Sequence, residues 1–365
     1  MLRREQPAYY ASLLCLDDID RVLTSADLHY PSVVLKSAAR DIVPSEYTLQ
    51  GGELDVARLY QLFAEGATVT LAYMDTVIPT LTELCRGLEA DFCHPFQANV
   101  YLTPPGNQGA RIHYDTHDVL VLQITGSKRW ITYGTPIELP LRNQSFDPAM
   151  KDLGEPTLQF ELSAGDAAYI PRGVVHDARA TDSVSLHITV GFLAYTWTDF
   201  LLESVADVCL NNPLFRKTLP PGFARERLPA QQTQEIFRSL MQHLAQPALS
   251  ETVRERLTDE FLAACPPLLR GQMAQLAGVS QIHMGTTLQM RPHAIAQLQV
   301  GEDAVTVRHF GRKISFPPHV ATAIQFVFQH QRFAVRDLPG ELDDAGKLTL
   351  VRRLVREGLL SADGA

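Results

Sequence analysis

The chain runs through Gly109-Ala110-Arg111-Ile112-His113-Tyr114-Asp115-Thr116-His117-Asp118 directly into the apolar segment Val119-Leu120-Val121-Leu122-Gln123, which has the composition of a buried strand. The first segment contains an HxD pair. Because alternate side chains of an extended chain project to one face, His113 and Asp115 can reach the same ion while Tyr114 points away. An imidazole and a carboxylate, completed by a second histidine, form the two-histidine, one-carboxylate triad that leaves metal positions open for substrate and O2. The pair therefore predicts a metal site.

Two downstream histidines compete to be the third ligand. His176 follows a short apolar segment, residues 167–170, and the turn Pro171-Arg172-Gly173, which can return the chain past the HxD pair. His187 lies in the alternating run of residues 183–190, which aims its side chain at a core face. We take His176 as the ligand and expect a core or supporting role for His187, which remains the competitor.

The spacing of apolar residues along the chain changes twice. Residues 13–89 have mostly helical spacing with a β-rich interruption at residues 67–71, whereas residues 96–195 consist of short β-branched runs separated by turn residues. Those runs cover residues 99–102, 119–124, 130–133, 157–162, 167–170 and 184–192. Many short strands at such spacing predict a barrel or sandwich.

Helical spacing returns after residue 195. It covers residues 198–210, 231–244 and 250–264, which predicts a helical middle domain. The tail has a predicted strand at residues 304–309 and predicted helices at 318–329 and 347–357. That order is typical of a winged helix.

Composition limits the classes of partner and compartment. The 365 residues include 32 Lys and Arg against 41 Asp and Glu, a formal net charge of −9, so nucleic acid is a disfavoured partner. No apolar run approaches the roughly 18 residues of a membrane span, and the N-terminus lacks a run of signal-peptide length, so we expect neither membrane association nor export. The five cysteines are odd in number and form no CxxC pair, which favours reduced thiols in the cytoplasm.

Three ordered segments carry a family resemblance. They are Ala98-Asn99-Val100-Tyr101-Leu102-Thr103-Pro104-Pro105-Gly106-Asn107-Gln108-Gly109, then His113-Tyr114-Asp115, then Leu122-Gln123-Ile124-Thr125-Gly126-Ser127-Lys128-Arg129-Trp130. This set resembles the JmjC-type ribosomal oxygenases, which are cupin-like protein hydroxylases. The resemblance implies an α+β chain with a double-stranded β-helix (jelly-roll, cupin or JmjC) barrel in residues 1–195. It further implies a helical dimerisation domain in 196–285, a winged-helix domain in 286–365, and a homodimer.

The resemblance also implies a cofactor set. Fe(II) is held by the triad, 2-oxoglutarate chelates the metal with its distal carboxylate on Lys128, and O2 is the third reactant. Asn99 and Tyr101 match family positions that line the pocket and hydrogen-bond the cosubstrate. Thr189, two residues beyond His187 on the same strand face, is expected to line the pocket as well.

The implied activity is that of a 2-oxoglutarate-dependent dioxygenase that hydroxylates a protein side chain, namely arginine or histidine of a basic ribosomal protein. An acidic enzyme attracts such a partner at long range. The same site would serve a tailoring hydroxylase of a peptide natural product or, less favoured, an N-methyl-lysine demethylase. A non-catalytic metal-binding cupin would keep the triad without needing Lys128 inside the barrel.

A DNA-binding regulator is the alternative from another class. It would use four basic residues at helical spacing near the C-terminus, Lys347, Arg352, Arg353 and Arg356. Acidic residues surround these four, so a solvated helix face is the favoured interpretation.

Overall fold

The computed structural model describes residues 1–150, 153, 155–225 and 230–363. The chain forms two compact units, Met1–Ala194 and Tyr195–Ala365. Among the described residues, none of the helices is both long and apolar enough to span a bilayer.

The first unit contains three helices and nine strands within the part of the chain that is described. The helices are α1 Leu16–Ser25, α2 Val56–Ala64 and α3 Pro79–Phe92. The strands are β1 Val33–Lys36, β2 Thr68–Leu71, β3 Phe96–Thr103, β4 Asp118–Thr125, β5 Ser127–Thr132, β6 Leu158–Ser163, β7 Ala167–Ile170, β8 His176–Ala180 and β9 Ser185–Phe192.

Two antiparallel sheets build the barrel of this unit. One has the order β1-β2-β3-β9-β4-β7, and the other has the order β6-β5-β8. From β4 onward, β4, β7 and β9 lie in the first sheet and β5, β6 and β8 lie in the second. The inward residues of both sheets pack together, as the cluster of Val121, Trp130 and Leu162 shows. The short strands predicted a barrel or sandwich, and this is the jelly-roll form of barrel that the family resemblance implied.

Strand alternation decides which side chains enter the barrel. In β9, Leu186, Ile188 and Val190 belong to the core outside the barrel, where the six-stranded sheet packs against α1, α2 and α3. His187 and Thr189 therefore point into the barrel, where both are almost fully buried. Polar side chains are stable inside a barrel only where they find hydrogen-bond partners or a ligand.

The second unit begins with helices and continues with two small sheets, whose strands are interrupted by two further helices. Its helices are α4 Trp197–Asn211, α5 Ala230–Leu244, α6 Pro247–Ala264, α7 Gln272–Gly278, α8 Ala321–Gln329 and α9 Asp344–Arg356. Its strands are β10 Thr287–Met290, β11 Gln297–Val300, β12 Val305–His309, β13 Arg312–Phe316, β14 Arg332–Ala334 and β15 Leu360–Ala362, in sheets ordered β11-β12-β13 and β14-β10-β15.

Most predicted elements are present, with ends that differ by one to three residues. The strand at 167–170 is reproduced in full, and the predicted helix at 318–329 begins with a 3-10 turn at Pro318–Val320. The HxD pair is expected on extended chain that continues into a strand, and a regular strand at this position is wrong. His113 forms only an isolated bridge, and β4 begins three residues after Asp115. The segment is nevertheless close to the sheet, because it pairs with β8 at one point.

Candidate metal centre

A two-way backbone pairing brings the HxD segment to β8. The His176 N–H donates to the His113 carbonyl at 2.7 Å, and the His113 N–H donates to the His176 carbonyl at 3.1 Å. The Gly173 N–H, in the turn between β7 and β8, donates to the Asp115 carbonyl at 3.0 Å. Residues about 60 positions apart are thus held side by side by three backbone hydrogen bonds.

The side chains of this segment converge. His113 Nε2 lies 3.9 Å from Asp115 Oδ1, and His176 Nε2 lies 3.7 Å from Asp115 Oδ2. One ligand atom from each residue falls within 4.8 Å of the others. Such a set can close around one divalent ion with small side-chain adjustments. His113, Asp115 and His176 form the candidate triad predicted from the sequence.

Hydrogen bonds from the backbone orient both imidazoles. His113 Nδ1 is 2.8 Å from the Arg111 carbonyl, and His176 Nδ1 is 3.0 Å from the Val174 carbonyl. A carbonyl can only accept, so each Nδ1 carries the proton and each Nε2 presents a lone pair. Burial lowers the pKa of His176, and the nearby His113 adds to this effect, which favours the neutral form that binds metals.

His187 is not part of the cluster of ligand atoms among the described residues. Its ring stacks on Tyr101, with centroids 4.8 Å apart and planes 4° from parallel. Burial holds its pKa well below the usual range, and Lys128 contributes in the same direction. The structure thus separates the two competing histidines. His176 joins the HxD pair, and His187 lies deeper in the barrel.

Lys128 is buried inside the barrel, with 4% of its surface exposed. Its ammonium group donates to Thr103 Oγ1 at 3.1 Å, and Thr68 in turn donates to the same oxygen at 3.1 Å. Burial lowers the pKa of Lys128 to about 7. The structure therefore shows a desolvated amine inside the barrel, as the family resemblance implied, and its charged form needs an anionic partner.

One cavity joins these groups. Its lining includes the triad together with the predicted residues Lys128, Tyr101 and Thr189. Asn99 is not among the lining residues. It lies on the same face of β3 as Tyr101, but its Oδ1 accepts the Tyr73 N–H at 3.0 Å. The structure therefore brings together all the predicted site residues except Asn99.

Two polar residues of the site were missed by the sequence analysis. Thr103 is fully buried and accepts from Lys128, and Trp130 lines the cavity between His176 and His187 at centroid distances of 5.9 and 5.8 Å. Thr103 follows Tyr101 by two residues, so strand alternation could have found it. Trp130 follows Lys128 by two residues on β5, and the same argument applies.

The residues fit a transition metal and an anionic ligand. Among the described residues, His187 Nδ1 and Trp130 Nε1 are buried without hydrogen-bond partners, although both side chains line the cavity. A buried polar atom without a partner destabilises a fold, and a polar ligand in the cavity would satisfy it. Two imidazoles and one carboxylate suit a divalent ion such as Fe(II), and Lys128 suits a dicarboxylate such as 2-oxoglutarate.

The barrel and its His-Asp-His cluster define a metal-binding protein of the cupin type. Residues 76–200 match the family described as JmjC domain. The chain is also similar to the ribosomal oxygenases. It is 35% identical to Ribosomal oxygenase 1 of Rattus norvegicus over 233 residues, which cover 61% of this chain and 38% of that protein.

Other relatives agree with this placement. Ribosomal oxygenase 1 of Gallus gallus is 32% identical over 295 residues, which cover 76% of this chain and 49% of that protein. The bifunctional lysine-specific demethylase and histidyl-hydroxylase NO66 of Drosophila sechellia is 31% identical over 223 residues, covering 59% of this chain and 33% of that protein. The chain spans less than half the length of these curated relatives.

A solved structure supports the fold over almost the whole chain. The crystal structure of ycfD from Escherichia coli covers 96% of this chain and 91% of its own, with a TM-score of 0.56 and 18% identity. The same protein has been solved as a ribosomal oxygenase with cobalt and 2-oxoglutarate, with a TM-score of 0.53 and 18% identity. At this identity the likeness concerns the fold.

Proposed function

We propose that the chain is an Fe(II)- and 2-oxoglutarate-dependent oxygenase that hydroxylates a protein side chain. The observation that carries the proposal is the position of Lys128, a buried cation in the same cavity as His113, Asp115 and His176. A cupin that only stores or senses a metal has no use for such a cation. The relatives named as ribosomal oxygenases and histidyl-hydroxylases support the same activity.

Each residue has a defined task in this proposal. His113, Asp115 and His176 hold the iron, and Lys128 pairs with the distal carboxylate of 2-oxoglutarate while Thr103 orients its ammonium group. Bound iron supplies the oxidative chemistry, in which 2-oxoglutarate, O2 and a C–H bond become succinate, CO2 and an alcohol. Burial of the cavity around Lys128 and His187 limits the access of water to this reaction.

Further pocket contacts are proposed for the cosubstrate. Tyr101 and Thr189 line the cavity and can donate hydroxyl hydrogen bonds to a carboxylate there. Burial raises the pKa of Tyr101, so its phenol keeps the proton that such a bond requires. Asn99 stays a predicted contact, since its amide would have to leave the Tyr73 N–H to reach the cosubstrate.

The proposed substrate is arginine or histidine in a basic ribosomal protein. The names of the relatives and the net charge of −9 support it. Demethylation of N-methyl-lysine is a second candidate, because the name of the Drosophila relative includes a lysine demethylase. Tailoring of a peptide natural product uses the same site and is distinguished by the experiment below.

The test has two parts. The purified, iron-loaded protein should convert 2-oxoglutarate to succinate, and Lys128→Ala should abolish this turnover; unchanged succinate production in the variant would refute the assignment. Intact-mass analysis of ribosomal proteins from cells with and without the chain should show one added oxygen on a single protein. That mass should be absent from a His113→Ala strain. No mass difference would shift the substrate to a peptide natural product.

We also propose a division of the second unit into a helical dimerisation domain and a winged-helix domain. A small core of Val208, Leu249 and Val253 supports the first, and a separate core around α8 and α9 supports the second. We place the boundary near residue 271, earlier than the predicted 285. The reason is that α7 packs with α9, and Gln275 exchanges hydrogen bonds with the backbone of Ala362.

Homodimerisation is proposed to use the exposed apolar side chains of α4 and α5. Trp197, Leu202 and Phe237 are 79%, 64% and 59% exposed, more apolar surface than a solvated helix pair normally presents. Leu202→Glu combined with Phe237→Glu should convert a dimer to a monomer in light scattering, and an unchanged mass would refute this surface.

A cytoplasmic location is proposed from the five free cysteines, which need a reducing compartment.

A further inference from the structure

A basic cleft lies in the second unit between the edge strand β13 and helix α9. It has a volume of about 550 Å³, within the range of ligand-binding pockets. The residues lining it are Lys313, Ile314, Ser315, Phe316, Pro317, His319, Val320, Leu342, Gly346, Thr349, Leu350, Arg353 and Arg356. Three of them are permanent cations and none is a carboxylate. In a chain with an excess of acidic residues, this local composition indicates an anionic partner.

The cations of the cleft differ from the other basic residues of α9. Lys347 donates to the Arg336 carbonyl, and Arg352 donates to the carbonyls of Ser280 and Ile282, so both stabilise the unit itself. Arg353 pairs with Glu357 at 2.7 Å. Arg356 is exposed and has no ion pair or hydrogen bond among the described residues.

Lys313, on the opposite wall of the cleft, is also a cation that is available to a ligand. It is exposed on β13 and, within the described part of the chain, makes no ion pair or hydrogen bond. The cleft therefore presents one available cation from the strand and one from the helix, whereas Arg353 is paired with Glu357. Two cations on facing walls can hold carboxylates along one extended ligand.

The strand wall offers a second kind of contact. In the described structure β13 pairs only with β12, so β13 is an edge whose outward N–H and C=O groups lack strand partners. The floor beside it is apolar, formed by Ile314, Phe316 and Leu350. Backbone groups in a row, an apolar floor and flanking cations suit an extended peptide. A nucleic-acid duplex would present neither a backbone edge nor apolar side chains.

We propose that this cleft binds an extended acidic peptide segment of a partner protein, which adds as a strand to β13. Its carboxylates contact Lys313 and Arg356, and its apolar side chains pack on the floor. This site is separate from the metal cluster and does not rest on the oxygenase activity. It assigns the available basic residues of the C-terminal region to protein recognition rather than to DNA.

The test measures peptide binding to the full-length chain by fluorescence anisotropy. The probe is a fluorescein-labelled, end-capped peptide of sequence Glu-Val-Asp-Ile-Glu-Val-Asp-Gly. The double variant Lys313→Glu/Arg356→Glu should weaken binding of this peptide by tenfold or more. A tenfold loss of affinity corresponds to about 1.4 kcal/mol of binding free energy. Lys217→Glu removes an exposed cation of the same unit outside the cleft and should leave the affinity unchanged.

Two modified probes separate strand addition from simple charge attraction. N-methylation of one alternating set of peptide residues should abolish binding, and methylation of the other set should preserve it, because only alternate N–H groups face the edge strand. Equal binding of both sets would overturn strand addition. No binding at millimolar peptide, an unchanged affinity of the double variant, or tighter binding of a duplex DNA lost in that variant would overturn the proposal.

Discussion

Lys128 is the residue whose environment differs most from what its type prefers. A lysine buried without a carboxylate partner among the described residues destabilises the fold, and its pKa falls from a usual 10.5 to about 7 as a consequence. An enzyme that binds a dicarboxylate has a reason to retain such a group. The cation destabilises the ligand-free protein and stabilises the complex.

The first prediction concerns the pH dependence of stability. Unfolded Lys128 stays protonated up to about pH 10.5, whereas the folded state releases this proton near pH 7. Between these values unfolding takes up a proton, so the contribution of Lys128 to the free energy of unfolding becomes more favourable as the pH rises. Lys128→Met should therefore stabilise the metal-free protein at pH 6.5 and by a smaller amount at pH 9, measured by urea denaturation.

The control for this prediction is Lys36→Met. Lys36 lines the same cavity but is exposed, so its replacement should show no comparable gain in stability or dependence on pH. A Lys128→Met protein that is less stable than the parent at pH 6.5 would contradict the burial argument.

The second prediction distinguishes the two histidines. Cobalt(II) at one hundred times its dissociation constant should stabilise the parent protein by about 2.7 kcal/mol, seen as a rise in Tm. His176→Ala should lose this rise because it removes a ligand. His187→Phe keeps the stack on Tyr101 and should retain it. Loss of the cobalt effect in the His187 variant alone would reverse the assignment of the third ligand.

At the scale of elements, the turn between β7 and β8 positions two of the three candidate ligands. Gly173 has a φ of +85°, and a Cβ there would collide with the Ile137 carbonyl. The same residue donates its N–H to the Asp115 carbonyl, and His176 follows three residues later. A shift of this turn moves ligands on both sides of the site.

The third prediction follows from that geometry. Gly173→Ala should destabilise the fold and weaken cobalt binding by about 10-fold or more, as changes beside metal ligands do. Gly106→Ala is the matched control, since Gly106 has a φ of +69° and open space around a new Cβ. It should cost about 1–2 kcal/mol of stability, measured by denaturation, without changing metal affinity. Equal metal affinity in both variants would contradict the role of the turn.

At the scale of the whole molecule, net charge governs encounter with the proposed basic substrate. Long-range attraction to a chain of charge −9 is screened as salt shortens the Debye length from about 10 Å at 0.1 M to about 3 Å at 1 M. The fourth prediction is that kcat/KM for a basic peptide substrate falls severalfold over this range. Uncoupled turnover of 2-oxoglutarate serves as the control and should change little. A kcat/KM independent of salt would contradict steering by charge.

The order of elements could be read from the sequence because it depends on local pattern. Strand alternation placed Thr189 on the same face as His187, and helical spacing found α4, α6 and α9 within a few residues. The pocket position of Tyr101 came from the family resemblance. The four basic residues near the C-terminus show the limit. Their helical spacing is visible, yet two bond to backbone carbonyls of their own unit and two line a cleft, which only packing decides.

The sequence by itself determined the HxD pair, the pattern of short β-branched runs in the barrel and the excess of acidic over basic residues. Each of these is a property of neighbouring residues or of composition. Tertiary structure decided that His176 rather than His187 completes the cluster, and that Lys128 is buried rather than solvated. Both outcomes depend on which strands pair and which faces close over each other. Those contacts join residues about 60 positions apart, beyond the reach of any local pattern.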